Sequence, residues 1–128
     1  EEADGLYKDS LCRFFDSDLY AEMGASPRLM REVRFIDELP AARFDKTLPD
    51  EVKNEPVVVQ GIADCIYEAD GGLVVLDYKT DRVEDMAALR ERYAVQLEVY
   101  AAAAEKTFGL PVRRCVIYSF YKNCSIVL

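Results

Sequence analysis

Residues 61–81 read GIADCIYEADGGLVVLDYKTD, and the fold turns on how this stretch pairs with itself. An apolar-rich run, the turn signal Asp70-Gly71-Gly72 and a second apolar run, LVVLDYK, spell a β-hairpin. Asp64 breaks the pattern in the first strand, and Asp77 and Lys79 break it near the end of the second. If Asp70-Gly71 are the turn residues, Ala69 pairs with Gly72 and Asp64 lies opposite Asp77. If the turn is Gly71-Gly72, Asp64 faces Lys79 with Asp77 on the diagonal. Side chains alternate with period two, so either register gathers the three charges on one face. Two carboxylates with Cβ atoms roughly 5 Å apart repel unless a cation lies between them. A divalent metal is the economical answer, with the lysine beside it for chemistry.

The rest of the chain fits one domain spanning residues 1–128. Its apolar content of 51% and charged content of 31% are ordinary for a globular protein. A net charge of −8 argues against a generic nucleic-acid coat or a membrane-surface binder, but not against a nuclease with clustered acids. No window reaches the apolar length of a membrane span, and the acidic start EEADG is unlike a signal peptide. The four cysteines, at 12, 65, 115 and 124, form no C-x-x-C and read as reduced thiols of a cytosolic protein, binding neither zinc nor an iron–sulfur cluster. Histidine is absent, which leaves carboxylates and lysine for any chemistry.

In chain order, residues 5–24 carry Leu6, Leu11, Phe14, Phe15, Leu19 and Met23 at loosely helical spacing. Asp16-Ser17-Asp18 offers a break and a fresh cap, so two short helices are expected. Residues 31–36 alternate as a half-exposed strand, and 37–55, with two prolines, reads as a mobile loop. Val57-Val58-Val59 extends the first hairpin strand. A long helix follows over 83–107, capped by Asp81 or a nearby acid and stopped by Gly109 and Pro111. Residues 112–121 and the last stretch SIVL form a second hairpin. Helices, strand, hairpin, long helix and hairpin make a mixed sheet with helical cover.

Two carboxylates can hold a hard divalent cation through oxygen, and such a metal activates water and steadies charge growing on a phosphodiester. Lys79 points to the same face and can position the water or neutralise the phosphate. Gln96 and Tyr100, four apart, share a helix face, and Gln96 interrupts an apolar stripe.

G-I-A-D, D-Y-K-T-D-R-V, the Tyr93–Tyr100 segment and V-I-Y-S-F together resemble the RecB-type branch of the PD-(D/E)xK nuclease superfamily. Within it they are most similar to the C-terminal nuclease domain of the AddA component of AddAB-type helicase–nucleases, over roughly residues 30–121. The resemblance implies an α/β (mixed α+β) restriction-endonuclease-like core, a central mixed sheet flanked by helices. It implies Asp64, Asp77 and the backbone carbonyl of Tyr78 as ligands of Mg2+ or Mn2+, with Glu32 as a further acid. Asp64, Asp77 and Lys79 form its catalytic set. Gln96 and Tyr100, with Thr80 and Arg82, touch DNA or brace the site.

The implied activity is an exonuclease that trims single-stranded DNA, the 3′-terminated strand of an unwound end, in double-strand break resection and recombinational repair. The implied partners are helicase domains of the same parent chain and a second, AddB-type component, in a bacterial cytoplasm and away from membranes. The upstream metal-ligating histidine of RecB-type nucleases has no counterpart here, so the chain is expected to be a fragment whose nuclease domain begins earlier. Two alternatives stand beside this reading: a catalytically incomplete module for docking or DNA guidance, and a stand-alone RecB-like or Cas4-like nuclease.

Overall fold

Leu73, Val74, Val75 and Leu76 are fully buried because strand β3 (Gly72–Lys79) has a covered layer on each face. The computed structural model of the protein describes residues 2–128, with side chains from Lys8 onward, so Leu6 lies outside the described side chains. β3 is the middle strand of a five-stranded sheet. Strand β1 (Leu29–Pro40) pairs antiparallel with β2 (Pro56–Ala69), and β2 pairs antiparallel with β3. Strand β4 (Val112–Ser119) runs parallel to β3, and β5 (Cys124–Val127) closes the edge antiparallel to β4. The parallel step needs a crossover, which helix α3 (Met86–Phe108) supplies. Helices α1 (Glu2–Phe15) and α2 (Asp18–Ala25) cover the other face.

The first of the two hairpin registers is the one the chain adopts: Ala69 pairs with Gly72 and Cys65 with Leu76. Asp70 (φ 55°) and Gly71 (φ 74°) are both left-handed, which is what a two-residue type I′ turn demands. Alternate residues of β3 then divide between the layers. Leu73 and Val75 join Phe35, Ile66, Leu89, Leu97, Ala103 and Ile117 under α3. Val74 and Leu76 join Tyr67, Val116 and Tyr118 against Phe14 and Met23. Ser17 caps α2 as expected, its Oγ accepting from Tyr20 N at 3.2 Å.

Three expectations need correction. The helix begins at Met86, not residue 83; of the two caps expected, it is the nearby acid, Asp85, whose Oδ1 accepts from Ala88 N at 3.0 Å. Asp81 is used elsewhere, and Val83 is buried although outside the helix. Second, residues 37–55 are not one loop. β1 continues to Pro40, which pairs with Pro56 at the tip of a long two-stranded arm, where a missing N–H costs little. Residues 41–55 fold as a short 3-10 turn (Ala41–Arg43) and tight turns, pinned by Ala41 N to Glu55 O and Ala42 N to Lys53 O, each 2.9 Å. Third, β4 stops at Ser119, two residues early.

One irregularity sits where the arm meets the sheet. Met30 and Val33 of β1 both pack in the α3 layer, and so do Ala63 and Ile66 of β2. A spacing of three means that each strand swaps faces there, yet the register is unbroken on either side. Glu32, with φ of 51°, is the residue that turns β1 over.

Candidate active site

β2 and β3 stop pairing at Cys65 and Leu76, and one step further Asp64 falls opposite Asp77. The Asp64 carboxylate takes over the ladder's work: its Oδ2 accepts from the backbone N–H of Tyr78 at 2.8 Å. The Tyr78 side chain turns to the opposite layer, against Phe14 and Phe120.

Asp77 is 4% exposed. Burial, and then its hydrogen bond with Asp64, push its pKa up to about 6, although Lys79 pulls the other way. Lys79 Nζ lies 2.6 Å from Asp77 Oδ2. That approach is an ion pair without hydrogen-bond alignment, so a buried carboxylate oxygen is left with no directed donor. Such an oxygen, beside a second carboxylate, suits a hard cation. Among the described residues no three acid, cysteine or histidine side chains converge as a metal cage. A pair is nonetheless an adequate protein share for magnesium, which keeps several waters and takes one or two carboxylates.

Lys79 leans on α3. Its Nζ donates to Gln96 Oε1 at 3.3 Å and sits 3.9 Å from the centre of the Tyr93 ring. Gln96 passes the chain on, Nε2 donating to Tyr100 Oη at 3.3 Å. Gln96 is exposed rather than embedded in the apolar stripe, because it stands at the margin where Lys79 rises from the sheet. Tyr93 is held in turn: its hydroxyl donates to Asp81 Oδ2 at 2.7 Å, and Arg92 Nη1 reaches the same oxygen at 2.6 Å. The Tyr93 hydroxyl, with Arg92, keeps the Asp81 carboxyl below its ordinary pKa.

The structure thus gathers Asp64, Asp77, Lys79, Gln96 and Tyr100. It does not bring in Glu32, which occupies the register position opposite Asp64 but is exposed on its left-handed backbone. Thr80 and Arg82 stand exposed in the segment between β3 and α3. Two contributors escaped the sequence reading. Tyr93, three residues before Gln96, was visible only as a motif letter. Gly61 is the other: a Cβ there would collide with Tyr100 Cε1 and lie 2.7 Å from its Oη. The bare strand lets the Tyr100 ring lie flat and reach Gln96.

Gly61→Ala is therefore expected to cost about 1–3 kcal/mol of stability by forcing the Tyr100 ring aside. Thermal melts of the two single variants and of Gly61→Ala/Tyr100→Ala check it. The pair must be non-additive, since removing the ring removes the clash. Strict additivity would show that the contact is not the cause.

Residues 4–125 match the PD-(D/E)XK nuclease superfamily. The chain is also similar to proteins named as the A component of an ATP-dependent helicase/nuclease. One from Thermoanaerobacter sp. (strain X514) is 42% identical over 112 residues, covering 86% of this chain and 9% of the relative. One from Clostridium kluyveri is 36% identical over 123 residues, covering 95% and 10%. One from Clostridium botulinum (strain Alaska E43 / Type E3) is 33% identical over 132 residues, covering 100% and 11%. The chain spans about a tenth of the length of these relatives. With a family match running over nearly its whole length and a mixed sheet that sets two aspartates beside a lysine, the chain belongs to the PD-(D/E)XK nuclease superfamily.

Proposed function

We propose that this chain is the metal-dependent DNA exonuclease domain of a helicase–nuclease that resects double-strand breaks for recombinational repair. The observation that carries the reading is the undirected, buried Asp77 oxygen, with Asp64 on one side and Lys79 on the other. Asp64, Asp77 and the carbonyl of Tyr78 would hold a divalent ion, Mg2+ first and Mn2+ second. When bound, it supplies an activated water and neutralises charge on the scissile phosphodiester.

The chain's own side chains do the rest. Lys79 presents an ammonium to the phosphate or to the attacking water, and Gln96 and the Tyr93 ring fix where that ammonium points. The substrate is single-stranded DNA, the 3′-terminated strand of an unwound end. Helicase domains in the same parent chain feed it, and an AddB-type protein is the partner, in the bacterial cytoplasm. The helicase/nuclease names of the relatives support this larger frame.

Calorimetric titration with magnesium or manganese is the test. Heat is expected from the wild type and is lost in Asp64→Asn. Heat that survives both Asp64→Asn and Asp77→Asn would place the ion elsewhere and sink the assignment. No heat from the wild type would favour a docking module that keeps the fold without turnover, a reading consistent with only two carboxylates meeting here among the described residues.

A further inference from the structure

We propose that a basic pocket on the flank of α3 binds the phosphodiester backbone of the nucleic-acid strand whose end is held at Asp77 and Lys79. The proposal rests on the nuclease reading and deepens it by assigning a second contact along the substrate. The cavity holds about 410 Å³ and is lined by Arg43 and Lys46 from the turn beyond β1, Arg90 and Glu98 from α3, and a floor that includes Leu97 and Cys115. That volume lies at the lower end of ligand-site sizes, enough for a phosphodiester unit.

The charge of the pocket opposes that of the chain. Acids outnumber bases by 24 to 16, and Lys53, Lys79, Arg92, Lys106 and Arg114 each pair with a carboxylate. Among the described residues Arg43, Lys46 and Arg90, like several other surface cations, have no such partner, and Glu98 is the one acidic side chain beside them in the lining. Unpaired cations converging on a concavity are an electrostatic footprint for a polyanion, and guanidinium forks match phosphate oxygens.

The turn that carries two of them is built. Asp45 Oδ1 accepts from Thr47 N at 2.9 Å and from Thr47 Oγ1 at 2.5 Å, which fixes the backbone on both sides of Lys46. The ends of the segment are tied by the Ala41 and Ala42 amides. Position along the helix completes the case. Arg90 and Tyr93 are three residues apart and hence neighbours on the α3 surface, about 5–6 Å between Cβ atoms. The Tyr93 ring carries Lys79 Nζ. A strand with one phosphate at Lys79 can pass Tyr93 and bring a further phosphate to Arg90.

The test uses the full chain and two oligo(dT) strands, one long and one too short to reach from Lys79 to Arg90. Arg43→Glu/Lys46→Glu and Arg90→Glu should each raise KM for the long strand about tenfold, with kcat changed less than about twofold and the short strand unaffected. Each phosphate contact removed should also lower the salt slope of binding by about 0.7. A long-strand KM unchanged in these variants, while the wild type still cleaves, overturns the pocket and leaves the nuclease reading standing. If the wild type cleaves nothing, anisotropy of labelled oligo(dT) in EDTA reads the pocket alone. Binding weakened about tenfold by the same substitutions supports it, and unchanged binding overturns it. Inorganic phosphate bound through these three residues without competition from oligo(dT) marks a small-anion site, and overturns it too.

Discussion

Asp77→Ala and Lys79→Ala, each introduced into the helicase–nuclease proposed as this chain's parent, are expected to abolish strand degradation, by at least about a thousandfold, while the unwinding proposed for that parent continues. The size follows from where the two groups sit. Asp77 is buried between Asp64 and Lys79, so its loss leaves Asp64 as the one carboxylate of the pair. Lys79 is held by Gln96 and Tyr93, a constellation that a water molecule cannot reproduce. Gel assays that follow strand length and strand separation on one substrate read both outcomes. Equal loss of unwinding and degradation would count against the roles given to these residues.

The second large effect is on stability, and it runs opposite to the first. Burial and the hydrogen bond with Asp64 raise the Asp77 pKa to about 6, above its ordinary 3.8. The folded state therefore binds more protons than the unfolded state between these values. Stability then falls as pH rises from about 4 to about 6 and levels off above. Asp77→Asn keeps the neutral form at every pH. In EDTA at pH 7.5 it should gain on the order of 2 kcal/mol, a rise in Tm of several degrees, and the gain should disappear near pH 4. The attraction of Lys79 is already contained in that raised pKa, and in the variant Lys79 keeps Gln96 and the Tyr93 ring. Divalent ion should reverse the order by stabilising the wild type alone. Scanning calorimetry at the two pH values is sufficient, and a lower Tm for Asp77→Asn at both would refute the account.

Much of this site was legible because it is local. The hairpin, its charges and the helix that follows lie within some forty residues, and period-two counting alone brings Asp64, Asp77 and Lys79 to one face. Which register the turn takes was not decidable, since Asp-Gly and Gly-Gly both tolerate left-handed backbone; the φ angles of Asp70 and Gly71 decide it. Gly61 was unreadable for a different reason. Its partner Tyr100 lies on another element, and a missing Cβ carries no signal of what fills the space. The helix start was misplaced because Asp81, a plausible cap, is instead recruited by Arg92 and Tyr93. The prolines at 40 and 49 suggested a loop, but Pro40 ends a strand and faces Pro56 at the tip of an arm where the ladder is about to stop.

The swap of faces at Glu32 and at Ala63–Asp64 has a consequence for how this hairpin can vary. It divides β1 and β2 into two blocks that are out of phase by half a pleat. The inner block is set by the two-layer core and carries Asp64, while the outer block is set by α3 through Phe35, Leu39 and the pairing of Asp37 with Lys106. Residues added or lost in pairs beyond Val33 lengthen or shorten the outer block without changing which way Asp64 points. The aspartate is thereby insulated from changes in the length of the arm.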